Sequence, residues 1–518
     1  MFEALKSVFA SIASFLTTPL FTIPLYVTSL TIPLWSLFAL GAFGYLFFTE
    51  SGRKIAKRIW GDFQSGEEVA KFVKLAIVFF LVIATYWGMR PLKDGIFTTL
   101  VGVDWQPVAK ILSPFIITPL VILYSKLVDM FPRNKVFYVL LSIYAAIAFT
   151  FFLVFSYVTP LASVEAPSVW NFLGWAWYVY IESFGSLVVA LFWAFTTDIT
   201  QPESAKRGFP LIYLFGQMGN MIGPFILRAE RLGFETSAPI IAILGGLMLL
   251  TAFMMYFFVS TTPKSQIQSY VAKGDKSKKE EKNHEEPGFL DGLRLLLKHG
   301  YLLGITAIIM FYEIIVTILD FFFKSSAADF FRAKVASGEI PQGMFERSLS
   351  GFLGDYAVYT GVVATLCVLF GINNIHRKLG TAASLLLLPT LIAVAVFTLR
   401  ISPTLMVAFW IMVFSKAVNY ALNQPTIKQL YIPTTKDTKY KAQAWIEMFG
   451  SRGSKAIGSG INLFRGFLKG SMGQAAGIAF FISLSTGFSL SLVAVWFFVA
   501  AYVARTYNKA IKEDTVVC

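Results

Sequence analysis

The chain of 518 residues is 56% hydrophobic and 14% charged, with a formal net charge of +14. Soluble domains have roughly 45–50% apolar and 25% charged residues, so this composition excludes a soluble globular protein and indicates a polytopic membrane protein. The two cysteines and three histidines are too scattered for a disulfide framework or a metal centre. We therefore expect no cofactor, no nucleic-acid partner, and a lipid bilayer as the surrounding medium.

The N-terminal region, residues 1–71, contains a hydrophobic segment at 21–48 that is long enough to cross a bilayer. Pro24 and Pro33 lie inside this segment and would kink or split a helix. Basic "SGRKIAKRIW" follows it. The pattern predicts one extra N-terminal span or a pair of short interfacial helices. A signal or transit peptide is not expected, because the run is too long and nothing Arg-rich or Ser-rich precedes it.

Twelve further apolar runs approach or exceed the ~20 residues that span a bilayer as a helix. The first six are predicted at 72–90, 107–128, 136–160, 170–196, 208–227 and 237–260. The second six are predicted at 300–323, 351–373, 380–399, 402–425, 443–467 and 474–504. A charged linker, 261–298, separates a first bundle at 72–260 from a second at 299–505, and a tail covers 506–518. The count predicts an all-α, major-facilitator-like fold of two six-helix bundles.

Loop charges predict the orientation, because cytoplasmic loops are richer in Lys and Arg. The basic loops all fall on one side of the twelve spans, at 126–135, 206–207, 264–282, 376–378, 428–441 and after 505. The loop at 161–169 carries no Lys or Arg. Both bundles are therefore predicted to begin and end in the cytoplasm.

Charged residues inside or at the ends of spans are informative, because each costs about 3 kcal/mol or more at the bilayer centre unless it is paired or wet. The six cations of this kind are Arg90, Lys93, Lys324, Lys416, Arg452 and Lys455. The four acids are Asp94, Glu182, Glu313 and Asp320. An interior with a surplus of two positive charges predicts an anionic substrate.

Helical spacing groups several of these residues. Glu313 and Asp320 share one face two turns apart, and Lys324 follows Asp320 by four residues. In span ten, Asn419, Tyr420 and Asn423 lie on the same face as Lys416, at i+3, i+4 and i+7.

Each charge also has a structural interpretation. A buried pair such as Glu313 with Lys416 can fix helix packing alone, and Arg90 and Lys324, near span ends, can reach the headgroups. The Gly and Ser residues around Arg452 permit close packing of span eleven.

Three blocks, in order along the chain, resemble the bacterial and plastid nucleotide transporters, the ATP/ADP translocase family. "MRPLKDGIFTTLVG" is similar to that family's Arg-x-x-Lys-Asp element. "IESFGSLVVALFWAFTTDITQPESAKRGFPLIYLFGQMGNMIGP" resembles its Glu-x-x-Gly-Ser block. "QLYIPTTKDTKYKAQAWIEMFGSRGSKAIGS" is similar to its Tyr-Ile-Pro, Lys-x-Lys and Arg-x-x-Lys elements. The resemblance covers over four-fifths of the chain.

The resemblance implies nucleotide exchange across a membrane, in the best-known members ATP for ADP and phosphate. It marks Lys93, Glu182 and one of Lys439 and Lys441 as essential charges, and it places the family's span-seven acid on Asp320, with Lys324 four residues later. Lys and Arg suit polyphosphate, and Asn side chains can read an adenine edge. The predicted substrate-binding residues are Arg90, Lys93, Glu182, Asn220, Asp320, Lys324, Lys416, Asn419, Lys439, Lys441, Arg452 and Lys455.

Alternatives remain at this stage. Gln443 occupies a position that is basic in the family's Lys-x-Lys-x-Lys pattern, so another nucleotide or an NAD-like anion is a second candidate substrate. A proton-coupled organic-anion carrier of the same fold is a third. An enzyme is not expected, because no Walker-type loop or Ser/His/Asp set is present. We expect a monomer in a bacterial inner membrane rather than a plastid envelope.

Overall fold

The structure is a computed structural model that describes residues 19–24, 29–33, 63, 65–131, 133–267, 291–369, 373–431, 433–435, 446, 450–513 and 515–517. Within those ranges, one helix corresponds to each of the twelve predicted spans. The helices of the first half are α1 Gly66–Leu100, α2 Gln106–Met130, α3 Arg133–Leu153, α4 Phe172–Asp198, α5 Pro202–Ile226 and α6 Ala238–Thr261. Those of the second half are α7 Gly300–Ala336, α8 Phe345–Leu369, α9 Asn373–Ile401, α10 Leu405–Val418, α11 Ser451–Met472 and α12 Gln474–Glu513.

Three of the twelve helices are less apolar than the rest. Nine helices in the described ranges are long and apolar enough to cross a membrane, and α5, α8 and α11 are not among them. These three pack against the opposite half: α5 contacts α8, α8 also contacts α1, and α11 contacts α2. A helix that faces the other bundle needs fewer lipid-compatible side chains, which explains the weaker hydropathy of all three.

Each half has its own hydrophobic core. The first contains residues 72–258, with Trp177 and Phe258 fully buried in it. The second contains residues 296–507, with Phe323 and Trp496 fully buried. Among the described residues, Val103 is the one residue of the first half in the second core. Two separate cores let the halves move as bodies, with the interface between them as the adjustable part.

Glycines allow a close helix crossing at the same place in each half. A Cβ on Gly223 of α5 would lie 2.3 Å from the carbonyl oxygen of Ala84 in α1. A Cβ on Gly458 of α11 would lie 2.8 Å from the carbonyl oxygen of Ile314 in α7. Only glycine permits such backbone contact. The first and fifth helices of each half therefore meet in the same way.

Two helices run well past the predicted ends of their spans. α1 continues from residue 90 to Leu100, and α7 continues from residue 323 to Ala336. The charges near 90 and 324 therefore lie within helices. The predicted route by which Arg90 and Lys324 reach the headgroups from a span end is wrong. Lys324 pairs with Asp94 of the other half, and Arg90 lies within electrostatic range of Glu182 and of Tyr420 in the second half. α12 likewise continues past residue 505 to Glu513.

The N-terminal segment departs from the helical prediction. Strands β1 Pro19–Pro24 and β2 Ser29–Pro33 pair antiparallel, with Thr22 opposite Thr31 and Ile23 opposite Leu30. A helical crossing is therefore wrong for this part of 21–48. β-Branched Thr and Ile favour strands, and the prolines at the strand ends disfavour helix. Residues 34–48 lie outside the described ranges. In the predicted linker, the structure describes short helices at Lys264–Ile267 and Asp291–Lys298.

Candidate substrate site

Charged side chains of both halves meet between α1, α2, α4, α7 and α10. This group, called the central cluster, contains five cations and three acids. Its members are Arg90, Lys93, Asp94, Lys110, Glu182, Asp320, Lys324 and Lys416. All of these residues are buried or half-buried, so their mutual pairing decides how they are tolerated in the membrane interior.

The part of the central cluster in the first half is organised by Lys93. Its ammonium group forms a short ion pair with the Glu182 carboxylate and lies 3.9 Å from Asp94 Oδ1. The same ammonium lies 4.5 Å from the centre of the Tyr178 ring. The Lys93 side chain is 6% exposed, whereas that of Glu182 is 33% exposed. Lys93 is thus a buried cation whose acidic partner faces open space.

Three lysine side chains lie close to the carboxylate of Asp320 on α7. Its Oδ2 lies 2.8 Å from Lys324 Nζ and 2.9 Å from Lys110 Nζ, and its Oδ1 lies 3.4 Å from Lys416 Nζ. Lys324 also lies 2.8 Å from Asp94 Oδ2 on α1. Lys110–Asp320 and Lys324–Asp94 therefore join the two halves at the centre of the molecule.

Arg90 has no ion pair with any residue that the structure describes. Its guanidinium lies 4.5 Å from the centre of the Trp87 ring and 5.9 Å from that of Tyr86. Glu182 and Asp94 lie within electrostatic range. A cation held on aromatic faces keeps its hydrogen-bond donors available for an anion.

The predicted face of span ten is changed by a π-helical turn. Asn419–Asn423 is π-helical, and a short helix, Gln424–Leu430, follows it. Asn423 Nδ2 donates to Asn419 Oδ1 at 2.9 Å, and both residues are buried, whereas Tyr420 is exposed. Asn423 Oδ1 has no hydrogen-bond partner among the described residues. Asn419 and Asn423, four residues apart, thus form a hydrogen-bonded amide pair just after Lys416, and the Asn423 Oδ1 atom can still accept a hydrogen bond.

The other predicted residues lie outside the central cluster. Lys455 Nζ lies 3.7 Å from Glu313 Oε2, and its side chain is 50% exposed. Arg452 is half-buried at the start of α11. Asn220 on α5 faces Gly361 of α8, and its Oδ1 has no partner in the described part of the chain. Lys439 and Lys441 lie outside the described residues.

Sequence reasoning missed one member of the central cluster, Lys110, and a residue that contacts the cluster, Gln106. Lys110 lies on α2, and Gln106, one turn earlier, donates from Nε2 to Asp94 Oδ1 at 2.9 Å. Lys110 was inside the predicted span 107–128 but close to its end, where a lysine ordinarily reaches the membrane surface. The sequence feature that could have identified Lys110 is its spacing of four residues from Gln106, which places two polar side chains on one face of the helix.

A second set of polar contacts joins the halves at the side that the loop charges predict to be external, called the outer side. Arg465 of α11 forms a short ion pair with Asp104 and lies 2.7 Å from Asp329 Oδ2. Lys469 lies 3.0 Å from Asp104 Oδ2. We call these contacts, with the ion pair Arg228–Asp355 at 2.6 Å, the outer closure.

Loop contacts reinforce the outer closure. The Ser237 amide donates to Glu346 Oε2 at 3.2 Å, and Gln342 Nε2 donates to the carbonyl oxygen of Val164 at 3.3 Å. At the opposite ends of the helices, contacts such as Lys71 Nζ to the Ile199 carbonyl oxygen, 2.5 Å, stay within one half. The pathway between the halves is therefore closed at the outer side.

Comparison with known proteins shows which family the chain belongs to. The family described as TLC ATP/ADP transporter matches residues 49–164 and 161–507. ADP,ATP carrier protein 1 of Rickettsia prowazekii (strain Madrid E) is 27% identical over 464 residues, which cover 78% of this chain and 87% of that protein. ADP,ATP carrier protein 1, chloroplastic, of Arabidopsis thaliana is 23% identical over 508 residues, which cover 87% of this chain and 76% of that protein.

Solved structures share the fold. The nucleoside transporter NupG has a TM-score of 0.53 at 13% identity, covering 83% of this chain and 98% of that one. A bacterial homologue of the iron transporter ferroportin in an inward-facing state has a TM-score of 0.56 at 11% identity, covering 85% and 100%. The predicted major-facilitator-like fold of two all-α six-helix bundles is thus confirmed. The family match and the named relatives show a multi-pass membrane transporter rather than an enzyme. The chain belongs to the TLC ATP/ADP transporter family.

Proposed function

We propose that this protein exchanges ATP for ADP across a bacterial inner membrane by alternating access, with the central cluster as the nucleotide site. The observation that carries the proposal is the charge of that cluster. Five buried or half-buried cations surround three carboxylates, at a place where both halves contribute. The resulting positive charge in a low-dielectric interior favours a polyanion.

The chemistry of the site suits a nucleotide. Lys93, Lys324 and Lys416 supply point charges for phosphate oxygens, and Arg90 supplies a planar fork of donors. The Tyr420 ring, which is exposed and lies within electrostatic range of Arg90, offers an aromatic face. Spare amide acceptors on Asn220 and Asn423 can receive hydrogen bonds from an adenine amino group. Both halves of the site come from one chain, which supports a monomer as the transporting unit.

Exchange follows from the ion pairs that cross between the halves. The two inter-half pairs of the central cluster hold the bundles together. A bound polyphosphate replaces the carboxylate partners of the lysines, so the bundles can rock about the site and open to the other side. Return requires a second nucleotide, because the ion pairs that form without one resist the movement. Lys439 and Lys441, which lie outside the described residues in a loop predicted to be cytoplasmic, belong to the proposed set.

The exchange proposal is tested in proteoliposomes. Labelled ATP should accumulate in vesicles preloaded with ADP and should not accumulate in empty vesicles. Lys93→Ala should abolish the accumulation, whereas Lys334→Ala, which alters an exposed ion pair to Glu339, should leave it unchanged. Equal uptake by empty and preloaded vesicles would exclude exchange. Uptake driven by a pH gradient, without competition from unlabelled ATP or ADP, would instead indicate a proton-coupled carrier of another anion.

A further inference from the structure

We propose that Lys110 is a substrate-contacting residue that leaves Asp320 and binds a phosphate oxygen when nucleotide enters the central cluster. The inference rests on the proposed function, because it requires the arriving anion to be a nucleotide. It extends the predicted substrate-binding residues by one side chain, on a helix that contributed none of them. The geometry around Asp320 carries it.

Asp320 has more cationic partners than one carboxylate can neutralise. Lys110 and Lys324 share its Oδ2, at 2.9 and 2.8 Å, and Lys416 lies 3.4 Å from its Oδ1. Ammonium groups that share one oxygen repel each other. A polyphosphate brings several anionic oxygens into the same volume, so a lysine that changes partner relieves this repulsion and gains a charge-assisted hydrogen bond.

Lys110 is better placed than Lys324 to change partner, and unlike Lys416 it pairs with Asp320 across the two halves. Lys324 also pairs with Asp94, so it is held on two sides. Lys110 has no acidic partner besides Asp320 among the described residues. Its side chain is 18% exposed, against 10% for Lys324. A single partner and partial access to open space leave Lys110 free to reorient.

The preceding turn of α2 supports the assignment. Gln106 lies one turn before Lys110, on the same face, and its amide donates to Asp94. Gln106 is fully buried, yet its Oε1 has no hydrogen-bond partner in the described part of the chain. Buried polar atoms are almost always paired. This face of α2 is therefore not fully satisfied by protein groups, as expected of a surface that a ligand completes.

Movement of Lys110 would also couple binding to transport. Lys110 belongs to the first half and Asp320 to the second, so their separation removes one of the two inter-half ion pairs of the cluster. Lys416 lies in the same half as Asp320, and its movement would remove none. Lys110 thus links occupancy of the site to the contact between the bundles.

The test is equilibrium binding of labelled ATP to purified full-length protein, with ADP and AMP as competitors. Lys110→Gln should weaken ATP binding by roughly 10- to 100-fold, the range for one charge-assisted hydrogen bond. AMP binding should weaken less, so the ratio of ATP to AMP affinity should fall. Lys334→Gln, the matched control at an exposed ion pair, should bind as the unmodified protein does.

The outcomes separate this inference from the proposed function. If the unmodified protein binds no nucleotide, the proposed function and the inference both fail. If it binds ATP and Lys110→Gln binds ATP equally well, the inference alone is overturned. An equal loss of ATP and AMP affinity would also overturn it, because it would indicate a purely structural partner of Asp320.

A second variant covers the case in which Lys110→Gln does not fold. Lys110→Arg keeps the charge and the ion pair with Asp320 but presents a larger, planar head. A residue that touches phosphate should then change the ratio of ATP to ADP affinity by roughly threefold or more, since each hydrogen bond is worth about 1 kcal/mol. An unchanged ratio in a folded Lys110→Arg protein would overturn the inference.

Discussion

The central cluster and the outer closure both join the two halves through ion pairs, yet their charges differ in balance. In the outer closure, three cations, Arg228, Arg465 and Lys469, face three acids, Asp104, Asp329 and Asp355. In the central cluster, five cations face three acids. The two regions lie close together, because Asp329 is about 14 Å along α7 from Asp320 at 1.5 Å per residue.

This difference indicates two tasks. A balanced set of ion pairs is complete without a further partner, so it can hold one end of the pathway shut. A set with surplus positive charge reaches charge balance when an anion binds. We therefore interpret the outer closure as a contact that sets the conformational equilibrium, and the central cluster as the contact that nucleotide changes. Variants of the two regions should then fail in different ways.

The largest effect is expected for Asp320→Asn. Removal of this carboxylate charge leaves three lysines without their shared partner in a buried position, and loss of one member of a buried ion pair costs about 3–5 kcal/mol. The melting temperature in detergent should drop sharply and exchange should be lost. The exposed control Glu339→Gln should change stability by about 0–1 kcal/mol. A stable, active Asp320→Asn protein would contradict the assignment of Asp320 as the centre of the cluster.

The next effect is expected for Lys93→Ala, which removes a buried cation whose partner, Glu182, is partly exposed. Because Glu182 can be hydrated, stability should fall less than in Asp320→Asn. ATP affinity should fall by roughly 100-fold, as expected for the loss of a charged hydrogen-bond donor. Direct binding of labelled ATP measures this. If the ATP affinity of Lys93→Ala lay within threefold of that of the unmodified protein, Lys93 would not be part of the substrate site.

A different kind of change is expected for Arg465→Ala in the outer closure. This side chain bonds to Asp104 and Asp329, so its loss opens the outer contact between the halves. Cysteines introduced in the loop at 161–169 should react faster with a membrane-impermeant reagent, and the exchange rate should change. ATP affinity should stay within about tenfold, or 1.4 kcal/mol, because Arg465 pairs with Asp104 and Asp329 and contacts no member of the central cluster. A loss of affinity as large as that of Lys93→Ala would remove the distinction between the two regions.

The smallest effect is expected for Lys455→Ala. The Lys455–Glu313 pair is 3.7 Å long and the lysine is half-exposed, so the pair contributes about 0–1 kcal/mol. ATP affinity should change less than fivefold in the same binding assay. A larger loss would show that Lys455 turns toward the nucleotide and belongs with the central cluster.

The sequence predicted the number of helices and most of the charges of the central cluster, because apolar length and buried charge are strong signals in membrane proteins. The same charges made the predicted ends of two helices wrong. Hydropathy falls at Arg90 and again at Lys324, so both spans were predicted to stop there. In the structure, these residues are tolerated inside α1 and α7 because pairing and aromatic contacts shield them.

Contacts across the two halves could not be predicted from one sequence. Lys110 and Asp320 are 210 positions apart, and no local spacing relates them. The acids of the outer closure were missed for the same reason, since Asp104 and Asp329 lie near helix ends, where charges are ordinary. The N-terminal hairpin was missed because hydrophobic length was given more weight than the β-branched residues of β1 and β2.

The central claim is that the surplus charge of the central cluster is completed by nucleotide while the balanced outer closure is not involved in binding. The most direct measurement is the thermal shift of purified protein with ATP, ADP, GTP, CTP, UTP or NAD. We predict that ATP and ADP raise the melting temperature, that Lys93→Ala abolishes this rise, and that Arg465→Ala retains it. A rise that survives in Lys93→Ala, or that disappears in Arg465→Ala, would contradict the account.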